Sequence, residues 1–179
     1  MKLSEIYEKY KNDDHHGDKG TIHTYIDAYD NMLTPYRNNS TVLEIGIYEG
    51  LSLMMWNEYF NNSKIVGIDI NDKETFDKLR SDGIDIIINN ASNPEILNDL
   101  VDYTFDVVID DGSHILSEQI ATFNILKDKM NQGGIYIIED IVNIDQSIDM
   151  FKSLHNNIEI IDNREIKNRY DDVLVIYKF

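Results

Sequence analysis

From Thr41 onward the chain alternates short β-branched apolar runs with longer segments whose apolar residues recur three and four positions apart. TVLEIG (41–46), KIVGID (64–69), DIIIN (85–89), FDVVID (105–110) and GIYIIE (134–139) are bounded by Gly, Asn and Asp, the pattern of strands buried on both faces. Five parallel strands are predicted. The stretches beginning near Leu51, Asp72, Pro94, Ile115 and Ile144 have helical spacing and predict helices laid against that sheet. Two more runs, IEIID (158–162) and DVLVIYKF (172–179), are separated by NREIKNRYD, too short for a helical crossover, so they are expected to pair antiparallel. The pattern is that of a doubly wound α/β sheet of seven strands with the last strand antiparallel. Trp56 falls inside the first helix after the glycines and reads as core.

The first forty residues differ. KNDDHHGDKG (11–20) is polar and loop-like, whereas IHTYIDAYDNML (22–33) places Ile22, Ile26, Tyr29 and Leu33 at helical spacing. Residues 1–40 are therefore expected to form a short helical cap over the sheet of residues 41–179, the two making one structural domain. With 179 residues and 42% hydrophobic content, the chain suits a single core. No internal repeat is present.

Charge and composition narrow the chemistry. A formal charge of −17 repels phosphate backbones and anionic headgroups, so neither nucleic acid nor a membrane is an expected partner. The opening MKLSEIYEKY has no apolar signal core, and a soluble, cytoplasmic protein is expected. With no cysteine, thiolate nucleophiles and Cys-ligated metals are excluded, and any metal should be a hard one held by Asp, Glu or His.

The first strand runs into VLEIGIYEG (42–50), which sets Glu44, Gly46 and Gly50 at a strand-to-helix turn where backbone can approach a ligand. The middle glycine of a dinucleotide fingerprint is missing, and Glu44 and Glu49 disfavour a diphosphate while suiting a cationic amino group. The second strand ends in Asp69, about 20 residues on, the separation at which an acid reaches a ribose diol. An adenosine-containing ligand without phosphate satisfies both; an ordinary turn with a solvated acid is the plain alternative.

FDVVIDDGSH (105–114) and GGIYIIEDI (133–141) then deliver Asp110, Asp111, His114, Glu139 and Asp140 to the carboxyl ends of strands expected about 4.8 Å apart. Gathered carboxylates repel unless a cation neutralises them, and oxygen donors without thiolate favour magnesium or a similar hard ion. The same residues also serve as helix N-caps elsewhere, which is the rival reading.

The LEIGxxxG-like turn and the acid after the second strand resemble the class I S-adenosylmethionine-dependent methyltransferases, with their Rossmann-like sheet. IDDGSH followed by IIED, together with GDKGTIHTYIDAY (17–29), resembles more narrowly the metal-dependent sugar O-methyltransferases of the macrolide type. The resemblance implies S-adenosylmethionine contacts from Glu44, Gly46, Tyr48, Gly50, Asp69, Asn90, Ala91 and Asp110. It implies Mg2+ at Asp111, Glu139 and Asp140, with His114 as general base and Lys19, His23 and Tyr25 as pocket residues. The expected acceptor is a sugar or other vicinal-diol small molecule, and a homo-oligomer is expected to complete its pocket. Two other readings stay open: a non-catalytic S-adenosylmethionine or S-adenosylhomocysteine-binding module, and a catechol-type O-methyltransferase. A hydrolase or oxygenase on the same acids is disfavoured, because a redox iron site prefers two histidines. Tyr25 and Tyr29 are equally explained by packing of the cap, and His15-His16 by solvation.

Overall fold

The structure, a computed structural model, describes residues 1–11 and 17–179. His15 and His16 lie outside the described residues. Seven strands, β1 (Thr41–Ile45), β2 (Lys64–Asp69), β3 (Asp85–Ile88), β4 (Phe105–Asp110), β5 (Met130–Ile138), β6 (Ile158–Asp162) and β7 (Val173–Lys178), form one sheet in the order β3-β2-β1-β4-β5-β7-β6. The pairs from β3 across to β5 are parallel, whereas β7 runs antiparallel to both β5 and β6. Strand order reverses between β1 and β4, so the loops leaving these strands diverge and open a crevice at their carboxyl ends.

Alternation along the strands divides the core into two layers. Val42, Val107, Ile109, Ile135 and Ile137 face one side, with Trp56 fully buried among them, while Leu43, Val108, Tyr136 and Ile138 face the other. Helices α3 (Leu51–Tyr59), α4 (Thr75–Ser81), α5 (Leu116–Leu126) and α6 (Ile144–Leu154) cover these faces, and a one-turn α7 (Arg164–Lys167) lies between β6 and β7.

Two expectations are corrected. The stretch from Pro94 is a 3₁₀ turn, Pro94–Asn98, because Asn93 accepts a hydrogen bond from the Glu95 amide and tightens the chain locally. β3 is not buried on both faces: it is an edge strand whose four residues are partly or largely exposed.

The first forty residues contain α2 (Tyr25–Leu33), which starts three residues later than the spacing predicts and leaves Ile22 exposed ahead of it, and also α1 (Leu3–Tyr10), which the sequence reading left out. α1 buries only Leu3, Ile6 and Tyr7 and is mostly polar or charged elsewhere, so its signal spans barely two turns. Both helices share the hydrophobic layer of α3, and the Tyr7 hydroxyl donates to the Gly17 carbonyl at 2.9 Å. Gly17, Asp18 and Lys19 are thereby held beside the carboxyl ends of β1 and β4.

Candidate active site

A cavity of about 1000 Å³ opens at the ends of β1, β2 and β4. Its floor is the β1–α3 turn. Gly46 has φ of 86°, and a Cβ there would sit 2.1 Å from the Asp111 carbonyl oxygen, so only glycine lets the β1 and β4 loops meet. Gly50, also left-handed, starts α3 against Leu79 and is set behind the wall. Tyr48, with φ of 51°, stands at the rim, where the Lys73 ammonium lies 4.9 Å from its ring centre.

Asp69 lines the cavity with its carboxylate already oriented: Oδ2 accepts from the Ile47 amide and Oδ1 from the Asn71 amide, each at 3.0 Å. Asn90 and Ala91 line the next stretch of wall, the Asn90 side-chain Oδ1 accepting from the Ser92 amide and hydroxyl. Asp110 is buried but reaches the cavity, and burial pushes its carboxyl up to about 7.

Glu44 has a different setting from the one its sequence position suggests. It is fully buried and off the cavity wall, it accepts a 2.6 Å hydrogen bond from Ser52, and burial raises its carboxyl to about 7. The cationic amino group nearest it, at 3.5 Å, belongs to the protein's own Lys19.

Lys19 is the main feature that sequence reasoning placed too loosely, as a pocket residue. Its ammonium bonds to Glu139 at 2.7 Å and to Asp111, and it is itself 3% exposed. Burial acts to lower its pKa, but Asp111, Glu139 and Glu44 outweigh that and leave it well above the ordinary lysine value.

The three proposed metal ligands therefore fall into two overlapping groups. Glu44, Asp111 and Glu139 can bring one oxygen each within 4.8 Å of one another, and so can Asp111, Asp140 and His114 with one ligand atom each. His114, with φ of 56°, leans out of the β4–α5 turn, its ring nitrogens 3.9 Å from Asp111 and 3.8 Å from Asp140. Burial, with Asp111 nearby, raises the carboxyls of both Glu139 and Asp140. Donor sets made mostly of carboxylate oxygens, with one imidazole nitrogen, fit a hard dication.

His23 and Tyr25 do not line the cavity; they lie behind Asp140. The Tyr25 hydroxyl donates to Asp140 at 2.7 Å, and the Tyr29 hydroxyl to Glu139 at 2.5 Å. The His23 ring stacks on Tyr25, its Nδ1 3.4 Å from Asp140 and 3.5 Å from Asp172. Gln119, not singled out by the sequence, donates to the Glu139 carbonyl at 3.1 Å and lines the cavity. It sits on a helix of ordinary composition, so no sequence signal marks it.

Sheet order, crevice and glycine turn together define the class I methyltransferase α/β fold. The chain belongs to the family described as Methyltransferase domain, which matches residues 43–141. It is 39% identical over 137 residues to the 8-demethyl-8-alpha-L-rhamnosyl tetracenomycin-C 2'-O-methyltransferase of Streptomyces olivaceus, covering 71% of this chain and 35% of that protein. To the demethylmacrocin O-methyltransferase of Streptomyces fradiae it is 36% identical, over 68% of this chain and 33% of that one. The solved structure of MycE methyltransferase from the mycinamycin biosynthetic pathway, in complex with Mg, SAH and mycinamycin VI, superposes with a TM-score of 0.74 at 29% identity. That superposition covers 99% of this chain and 54% of MycE. The chain thus spans about a third of the length of the curated relatives it matches. Among the described residues no helix is long and apolar enough to cross a membrane.

Proposed function

We propose that this domain carries out S-adenosylmethionine-dependent, Mg2+-assisted O-methylation of a hydroxyl on a sugar or another vicinal-diol small molecule, with His114 as general base. One observation carries the reading: His114 stands between Asp111 and Asp140 at the mouth of the cavity whose floor is the Gly46 turn and whose wall bears Asp69. The sugar O-methyltransferase activity named for the relatives, and the Mg and SAH held by MycE, support it.

When bound, the sulfonium cofactor would supply an electrophilic methyl group and the dication would make an alcohol more acidic. Asp111, Glu139 and Asp140 are the residues to hold the ion, with Glu139 engaged through Oε1 by Lys19 and Tyr29. Asp69 would accept from the ribose hydroxyls, while Gly46 lets the cofactor approach the backbone. Asn90, Ala91 and Tyr48 would flank the adenosine, and Asp110 would lie beneath the amino acid end. His114 would take the acceptor's proton on a ring nitrogen, since its exposed position faces incoming substrate. Alignment within near-attack distance would contribute much of the rate.

The test is methyl transfer from labelled S-adenosylmethionine to a panel of sugar nucleotides, glycosides and catechols, with and without chelator. Transfer to a sugar that chelator abolishes is expected, with His114→Ala lowering turnover on the order of 10²–10⁴-fold while Mg2+ affinity stays nearly unchanged. Tight S-adenosylhomocysteine binding with no transfer to any acceptor would favour the binding-module reading, and transfer to catechols alone the aromatic one.

A further inference from the structure

We propose that Lys73 is a positioning residue: it pins Tyr48 in a left-handed backbone conformation at the rim of the cavity and so fixes that ring for the cofactor. The hold on the turn stands by itself, whereas its use by S-adenosylmethionine rests on the function proposed above.

The turn from Ile47 to Gly50 closes with the Gly50 amide donating to the Ile47 carbonyl at 2.9 Å, which makes Tyr48 and Glu49 its central residues. Turns with a positive φ at the first central position are dominated by Gly, Asn and Asp, yet this one carries a tyrosine at 51°. A side chain there meets a steric penalty that glycine avoids, so neighbouring groups must over-determine the conformation. Burial of the ring does not supply that restraint, since Tyr48 is 63% exposed. Lys73 supplies it. Its ammonium donates to the Tyr48 carbonyl at 2.7 Å, lies 4.9 Å from the centre of the Tyr48 ring and reaches Glu49 at 3.2 Å. The side chains of the Lys73–Glu49 pair are 32% and 31% exposed, so that pair contributes little and the carbonyl bond and ring contact are the main hold.

Lys73 is itself rooted in the core. The Phe76 amide donates to its carbonyl at 3.0 Å, and Phe76 is fully buried in the first turn of α4. The same helix places Leu79 against Gly50, where a Cβ would sit 2.8 Å from a leucine methyl. Asp69 completes the clamp from the other direction, because its carboxylate accepts from the Ile47 amide next to Tyr48. The loop that carries this acid and the turn that carries the glycines therefore brace each other, and Tyr48, Asp69 and Lys73 line one cavity. An aromatic ring held at a cavity mouth against backbone strain suits the flat purine of the cofactor, which a ring fixed in advance receives without further ordering.

The experiment pairs amide hydrogen exchange of the ligand-free chain with calorimetric titration of S-adenosylhomocysteine. It compares the wild type, Lys73→Met, Lys73→Arg, Tyr48→Gly and the double variant Tyr48→Gly/Lys73→Met. Lys73→Met should speed exchange of the Gly50 amide, whose bond closes the turn, and weaken S-adenosylhomocysteine binding roughly 5–30-fold. Lys73→Arg, which keeps both a donor and a cation for the ring, should recover most of each loss. In the Tyr48→Gly background the backbone adopts its φ without strain, so Lys73→Met should add little to either readout. Unchanged exchange in Lys73→Met, faster exchange with unchanged affinity, or losses that simply add in the double variant would overturn the proposal. A wild type that does not bind S-adenosylhomocysteine would sink the cofactor reading and the use of Tyr48 with it, whereas Gly50 exchange still decides whether Lys73 holds the turn.

Discussion

At the scale of single residues, the site depends on one backbone position that no ordinary side chain tolerates. Gly46 combines a left-handed φ with contact against the Asp111 carbonyl, so Gly46→Ala both strains the backbone and pushes β1 from β4. A loss of about 2–5 kcal/mol is expected, combining the left-handed penalty with overpacking, and calorimetry should show S-adenosylhomocysteine affinity falling with it. Urea unfolding within 1 kcal/mol of wild type would refute the close approach. Much of this site is visible in sequence, because glycines and acids after strands have few other reasons to sit together. The Asp69, Asp110, Asp111 and His114 positions all reach the cavity wall. Glu44 and Lys19 were harder: a carboxylate beside a glycine turn reads as a ligand contact, and nothing local shows that a lysine 25 residues earlier is folded onto it. That pairing is a tertiary fact, made by a turn held in place by the packing of α1 and α2 and by Lys167 and Asp172 from the far end of the chain.

At the scale of elements, the five parallel strands and the β6–β7 pair follow from the sequence, since apolar runs bounded by turn residues have few alternatives in a buried sheet. The edges were less legible. β3 carries three isoleucines yet is partly exposed, because burial is decided by neighbours and β3 has one only on the β2 side. α2 links element to chemistry. Its Tyr29 is fully buried and donates to Glu139, so Tyr29→Phe keeps the packing and removes a bond to a charged group. A loss of about 1.5–3 kcal/mol in chemical unfolding is expected. If the hydroxyl were incidental and α2 merely packed, Tyr29→Phe would be neutral in that measurement.

At the scale of the whole molecule, a charge of −17 sits on one folded body, and self-repulsion opposes its compact state. Salt screens such repulsion with a Debye length of about 10 Å at 0.1 M. Raising sodium chloride should therefore stabilise the protein, by on the order of 1 kcal/mol or about 2–4 °C in scanning calorimetry. A falling midpoint would mean that ion pairs such as Lys9–Glu58 and Arg164–Asp162 outweigh the repulsion. The sheet order carries one more consequence, for synthesis of the chain. β7 is the last strand in sequence yet lies between β5 and β6, and Val173–Tyr177 are all fully buried. Until it emerges from the ribosome, β5 has an unpaired edge of Ile135–Ile138 and β6 has no partner at all. The nascent domain must wait, with a sticky strand uncovered, for its final segment to slide into a slot between two others. Such non-local closure is slow and invites edge-to-edge association, so ribosome-bound chains stalled before Val173 form the stage at which chaperone capture has most to protect.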